Sequence, residues 1–452
     1  MDEINAEAAK TAKKAAARAK KRADAGWEDI VPAAARWVAK DVRASSKGAR
    51  LVRFKRRASI SDVYLELLTP SILRACRKVA QKPVVYRGRK IALAEVYKTF
   101  ALSIYMRALQ EVVPPSKKLR RPMNEVFQKA KKHLLKHLKK KGICGDISVK
   151  KWEIVRNTLL ITPEIARGKL SRNFRRHVGL GENVAVDEKQ KKWRGRSPVI
   201  KQVKSKPDPV GHWTTQMACL LQTSGLPYVC GLYPFSGFDE DGESFEVRAK
   251  IWKWVLEILK YGAPNDFPVV CTDSFYLTNE VKELLQREGI PYHCSAKSAW
   301  FRPLWCHLDA KLTDRGSWAG MVNKNTGEVA VLTWSTKKKI GKKFLLSTLM
   351  KKVNGKQAAN NPPGWGLYAD MFKVCDDYNS SMGDVFWPYR LRHYTDHLNE
   401  VYHAHILLNT VHSWIELQGM EDVPSNYDLL VQLSEELFAR ACSGDLPNTK
   451  HW

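Results

Sequence analysis

The chain has 452 residues, 44% of them hydrophobic, and a formal net charge of +30. The length exceeds one ordinary domain, and the apolar content excludes a largely disordered chain. The charge selects polyanionic partners, nucleic acid first and an anionic membrane surface second. No run of 18 apolar residues is present, so no segment is expected to span a bilayer. Met1 to Ala25 lacks the apolar stretch of a secretory signal. The nine cysteines form no C-x-x-C pair, which points to free thiols in a reducing compartment.

Residues 1–57 carry sixteen Lys or Arg against seven acids. This composition predicts a mobile basic arm, read either as a solvated tail or as a nuclear-import or DNA-binding segment. Residues 58–180 read as helical, with apolar stretches at Leu65–Leu73 and Ile91–Val112. Within them, Lys117 to Lys141 holds eleven basic residues and the single acid Glu125. That pattern fits an amphipathic helix with a charged outer face, or one facing DNA, in a DNA-binding and dimerisation region.

Residues 181–299 change texture. Short strands are predicted at Asn183–Asp187, Trp213–Gln222 and Leu226–Tyr233, the last two joined by a turn at Ser224-Gly225. A helix follows over Glu246–Tyr261, then a strand at Phe267–Cys271, a helix capped by Thr278 and stopped at Gly289, and a strand at Ile290–Ser295. Three strands, helix, strand, helix, strand is the RNase H-like order. The expected class is therefore α/β: an RNase H-like mixed sheet with a largely helical N-terminal domain and a β-containing insertion. The insertion is placed at 300–375, a C-terminal helical part of the core at 376–419, and a tail at 420–452.

Two carboxylates stand where such a sheet brings strand ends together. Asp187 ends the first strand, and Asp273 follows the fourth, 86 positions later. Either one alone reads as a turn former or helix cap. Together, at matching points of one topology, they suit phosphoryl transfer, in which two Mg²⁺ ions about 3.5–4 Å apart clamp the attacking and leaving oxygens. Oxygen ligands favour Mg²⁺ or Mn²⁺. No phosphate-binding loop and no G-x-S-x-G elbow is present. His393, His397, His403, His405 and His412 cluster without a thiol or a third ligand at a familiar spacing, which predicts a polar helix surface or a DNA-facing one.

The segment from Asp187-Glu188 through Gly195-Arg196, Lys206-Pro207 and Gly211 resembles the D-E…G-R…K-P…G pattern of piggyBac-like DDE transposases. Asp273-Ser274-Phe275-Tyr276-Leu277-Thr278 is similar to that family's D-N-F-Y-T-S. Trp334 with Phe344–Thr348, Tyr378-Asn379-Ser380-Ser381-Met382-Gly383 and Asn409 resemble its later motifs. These stretches run in order across about residues 59–417. The resemblance implies metal-dependent DNA cleavage and strand transfer, typically at TTAA, by a nuclear homodimer. It implies Asp187, Asp273 and a third acid as catalytic metal ligands. Lys189, Lys191, Lys192, Arg194 and Arg196 are then expected to contact DNA phosphates, and Trp193 to pack or to stack on a base.

The third acid departs from the pattern. Phe386 occupies its place in a gapless reading, and Asp384, two residues earlier, is the nearest carboxylate. Asp376, Asp377 and Asp396 are further candidates. The family's cysteine-rich zinc module has no counterpart after Cys375, where Cys442 is the one cysteine. The alternative to an active transposase is a domesticated, DNA-binding derivative that no longer cuts.

Overall fold

The computed structural model describes residues 26–30, 36–39, 48–55, 57–80, 84–112, 123–193, 196–202, 210–235, 245–261, 267–337, 341–353, 362–385, 394–420 and 423–447. The elements used below are β1 (Asn183–Lys192), β2 (Val210–Leu220), β3 (Pro227–Pro234), α1 (Phe245–Lys260), β4 (Val269–Thr272), α2 (Asn279–Arg287), β5 (His293–Ala296), β6 (Trp318–Asn323), β7 (Val329–Trp334), β8 (Lys342–Ser347), α3 (Trp365–Val385) and α4 (Tyr394–Gln418). The class is mixed α/β.

The chain separates into two compact units, each discontinuous in sequence. The six consecutive segments read from composition do not coincide with them. A sheet recruits strands from distant parts of the chain, which linear composition does not report. Strand β1 is shared: its residues up to Asp187 belong to the first unit and those from Glu188 to the second.

In the first unit, β4 pairs in parallel with the start of β1, Val269–Thr272 opposite Asn183–Val186. A second sheet has the order Trp27–Asp29, β6, β7, β8, β5, with antiparallel pairs throughout. Ile30, Trp318, Val329, Val331, Leu345 and Met350 form its core. Strand β5 also touches β4 through a parallel bridge, Val270 to Tyr292. Helix α2 starts where Thr278 predicts it, the hydroxyl accepting from the Val281 N–H. Gly289 after it has φ +69°, a left-handed value suited to a helix stop.

In the second unit, β2 lies between β3 and β1, and Ile200–Gln202 also pairs with β2. Strand β3 is an edge, yet all eight of its residues are buried. Its backbone groups are satisfied by side chains rather than by another strand. Ser171 Oγ accepts from Leu232 N at 2.8 Å and donates to Leu232 O at 2.9 Å. Asn409 does the same at Val229, accepting from N at 3.1 Å and donating to O at 2.8 Å. His412 Nδ1 lies 2.6 Å from Pro227 O. Paired backbone groups on a buried edge satisfy the requirement that no polar group be left dry.

Two expectations change. The described parts of residues 1–57 are not an unpacked arm: Trp27–Asp29 pairs with β6, Arg36–Ala39 with Met350–Val353, and Arg50–Leu51 with Val178–Gly179. The lysine-rich stretch before Gly26 lies outside the described residues. The segment 420–452 is more than a tail, because helix Asn426–Ser443 buries Leu429, Leu430, Leu433, Leu437 and Phe438 and packs on helix Leu93–Val112. Its acidic residues sit between these apolar positions at helical spacing, which average composition hides.

Candidate metal centre

The parallel register of β1 and β4 decides the site. Val186 lies opposite Thr272, so the next residues become cross-strand neighbours: Asp273 just past the end of β4, and Asp187 inside β1, which continues to Lys192 rather than ending at Asp187 as expected. Asp187 is buried, with 7% of its surface exposed, and Asp273 is half-buried. Asp273 also holds its own turn: one carboxylate oxygen accepts from Phe275 N at 2.8 Å, and its carbonyl accepts from Tyr276 N at 3.3 Å. It is thus a turn former as well as a site residue. Glu188, next along β1, completes a group with Asp187 and Asp273 in which one carboxylate oxygen from each lies within 4.8 Å of the others.

Three carboxylates at this separation repel one another unless protons or cations intervene. The donors are all hard oxygens, with no imidazole or thiolate among them, which suits a divalent ion such as Mg²⁺ or Mn²⁺. Sequence reasoning missed Glu188, because alternation along a strand sends neighbouring side chains to opposite faces. The Asp-Glu pair itself was the available signal.

The basic residues after Asp187 separate into two kinds. Lys189 donates from Nζ to the Asn379 carbonyl at 3.2 Å. Lys191 is half-buried, and burial, helped by the nearby Lys189 charge, lowers its pKa to about 8. Lys192 and Arg196 are exposed, and Arg194 lies outside the described residues. Trp193 is buried, stacked on His212 with ring centroids 5.7 Å apart and tilted against His397 at 5.1 Å. It packs in the protein.

The histidine cluster is also interior, contrary to expectation. His397, His403, His405 and His412 on α4 are at most 5% exposed. Burial lowers their pKa values to about 3, 3, 3 and 4, so all four are neutral at pH 7. Helix α4 is enclosed nearly all round, and a neutral imidazole suits such a position when its ring nitrogen finds a partner. His397 Nδ1 lies 2.7 Å from His212 Nδ1, one nitrogen donating to the other. His393 lies outside the described residues.

Asp384 falls in the last turn of α3, and its side chain and Phe386 lie outside the described residues. Asp376 on α3 is exposed and Asp377 half-buried. Asp396 is 3.5 Å from Arg156 in an ion pair. The carboxylate group around Asp187 includes none of the three.

Several residues of the motif segments have structural partners. The Gln216 amide donates to Asn379 Oδ1 at 3.0 Å. Tyr378 Oη lies 3.2 Å from Asn409 Oδ1, and so steadies the residue that closes β3. Gly211 lies against β1, where an added Cβ would overlap the Lys191 carbonyl.

No family model matches the sequence, and no curated protein matches it. A solved structure does: the cryo-EM structure of a piggyBac transposase synaptic complex with hairpin DNA, at TM-score 0.64 and 14% identity. The match covers 90% of this chain and 89% of that one. The fold is similar to that of piggyBac transposase. The likeness extends over both units, and at this identity it is a likeness of fold. Among the described residues, no helix is long and apolar enough to cross a membrane.

Proposed function

We propose that the chain is a piggyBac-like transposase that cuts and joins DNA at a divalent-metal site built on an RNase H-like sheet. The observation that carries this reading is the placement of Asp187 and Asp273 side by side on adjacent parallel strands, with Glu188 beside them. The strand order β3-β2-β1-β4, with β1 and β4 parallel and β5 bridged to β4, supports the RNase H-like assignment.

Asp187, Glu188 and Asp273 would hold the metal, and Asp384 is kept as a further ligand at the end of α3. A bound ion would activate the attacking oxygen and stabilise the leaving one. The chain's own contribution is to fix the carboxylates. Parallel pairing sets Asp187 against Asp273, and the Phe275 N–H orients the Asp273 carboxylate. Lys192 and Arg196 are the exposed cations after the site that suit phosphate contact, together with the outer face of helix Met123–Lys140, where Lys129, Lys132, Lys136 and Lys140 are exposed at helical spacing. The partner is double-stranded DNA, the working form a homodimer, and the compartment the nucleus.

Phe386 at the position of the family's third acid favours a second reading, a domesticated DNA-binding derivative. Nicking of a supercoiled plasmid containing TTAA sites separates the two. The transposase reading expects nicks with Mg²⁺ or Mn²⁺, none with chelator, and none from Asp187→Asn. DNA binding without metal-dependent nicking supports the derivative.

A further inference from the structure

Beside Asp273 the first unit has a pocket of about 530 Å³, lined by residues that include Ser274, Lys297, Ser298, Trp305, Lys342 and Phe344. That volume falls in the range of roughly 300–1,000 Å³ typical of small-molecule sites. Its position follows from topology. Strands β4 and β5 are bridged in parallel, so the residues following each, Ser274 after Asp273 and Lys297 after Ala296, emerge on the same side. Ligands of α/β sheets collect at such carboxyl ends.

The lining has the chemistry of a nucleotide. Trp305 is half-buried and lines the pocket, with the Lys342 ammonium 5.9 Å from its ring centroid. Lys297 is exposed, its ammonium 5.6 Å from the Phe275 ring centroid. Lys342 also lines the pocket, but it is ion-paired with Asp309 and sits 4.6 Å over the Trp334 ring, so much of its charge is already engaged. Lys297 is therefore the cation better placed to meet a phosphate. Ser274 and Ser298 add hydroxyls that donate or accept. An aromatic face with an adjacent ammonium recognises a base and its phosphate with little regard to sequence.

We propose that this pocket receives one unstacked nucleotide of the DNA strand, its base on Trp305 and its phosphate on Lys297. The assignment to DNA rests on the transposase reading, and its location next to Asp273 would hold the strand beside the metal carboxylates.

The test uses the full chain and a 12-nucleotide single-stranded oligothymidylate carrying one 5-iododeoxyuridine, irradiated and mapped by mass spectrometry. The expected crosslink lies in the peptide containing Trp305. Trp305→Leu should reduce its yield at least tenfold and Trp305→Phe by no more than about twofold. Both variants should keep the wild-type melting temperature and bind duplex DNA within about twofold of wild type. Lys297→Gln should weaken oligonucleotide binding several-fold. Crosslinks confined to other peptides, or unchanged in Trp305→Leu, overturn the proposal. Competition by free dTMP as effective per nucleotide as by unlabelled oligonucleotide assigns the pocket to a free nucleotide and also overturns it. The plasmid-nicking assay reads the transposase function separately: nicking without the Trp305 crosslink rejects the pocket alone, and the crosslink without nicking rejects the cleavage reading alone.

Discussion

Asp187 and Asp273 are cross-strand neighbours, one residue beyond the Val186–Thr272 pair that ends the parallel register of β1 and β4. Asp187 is 93% buried beside two other carboxylates, an arrangement that costs stability when no cation balances the charge. Asp187→Asn and Asp273→Asn each remove one of the three carboxylate donors, and their melting temperatures in chelator are the reference for metal addition. Millimolar Mn²⁺ should raise the wild-type melting temperature by mass action and leave either variant nearly unmoved. Thermal melts with and without Mn²⁺ check this. An equal Mn²⁺ shift in wild type and both variants would remove the metal site.

Glu188 and Asp384 are the two carboxylates proposed as ligands beyond Asp187 and Asp273, and substitution separates their contributions. Glu188→Gln is expected to weaken Mn²⁺ binding by about tenfold or more, on the order of 1.4 kcal/mol. Titration followed by electron paramagnetic resonance measures it, with Asp384→Ala in parallel. A loss confined to Asp384→Ala would restore the ligand set implied by the family resemblance and reject Glu188.

Gly211 is required by packing. Its Cβ position falls on the Lys191 carbonyl of the neighbouring strand, and a backbone atom in a sheet has little room to yield. Gly211→Ala should destabilise the chain by about 1–3 kcal/mol, the usual cost of overpacking. Urea unfolding of the variant measures this, and a midpoint equal to wild type would contradict the close approach.

Asn409 gives β3 the partner that a further strand would otherwise provide. Asn409→Ala leaves Val229 N and O buried without that partner, at a cost of about 1–3 kcal/mol for each group left unsatisfied. Asn409→Asp keeps the acceptor for Val229 N but sets a carboxylate oxygen against Val229 O and buries its charge, so it should destabilise at least as much as Asn409→Ala. Comparing the two by urea unfolding tests the bond pattern, and equal, negligible effects would reject it.

The buried histidines make the fold acid-sensitive. His212, His397, His403, His405 and His412 have folded-state pKa values of about 4, 3, 3, 3 and 4, lowered mainly by burial. An unfolded histidine titrates near 6.5, so between about pH 6.5 and 4 the unfolded chain binds more protons, and stability falls as the pH falls. Each histidine contributes up to about 1.4 kcal/mol per pH unit to that slope. Unfolding midpoints at pH 7.5, 6, 5 and 4.5 should drop steeply below 6.5, and His412→Gln should flatten the curve. A flat profile from pH 6.5 to 4.5 would mean these rings are solvated.

The sequence by itself determined much of the local structure. Thr278 and Gly289 marked the ends of α2 because a hydroxyl cap and a left-handed glycine act within a few residues. Apolar runs bounded by turn residues located β1 to β5 and placed an aspartate just after β4, but β1 runs on to Lys192, so Asp187 lies inside that strand and not at its end. The motif order pointed to the fold that the structural match shows. What tertiary structure decided were the relations that local sequence does not encode. Glu188 was passed over because strand alternation assigns it to the other face, yet the fold groups it with Asp187 and Asp273. Lys189 and Lys191 look like Lys192 in sequence, yet only contacts across β1 reveal a hydrogen bond to Asn379 and a desolvated ammonium. The histidines of α4 read as a polar face until the elements packed round that helix are known, since burial belongs to the neighbours and not to the residue itself.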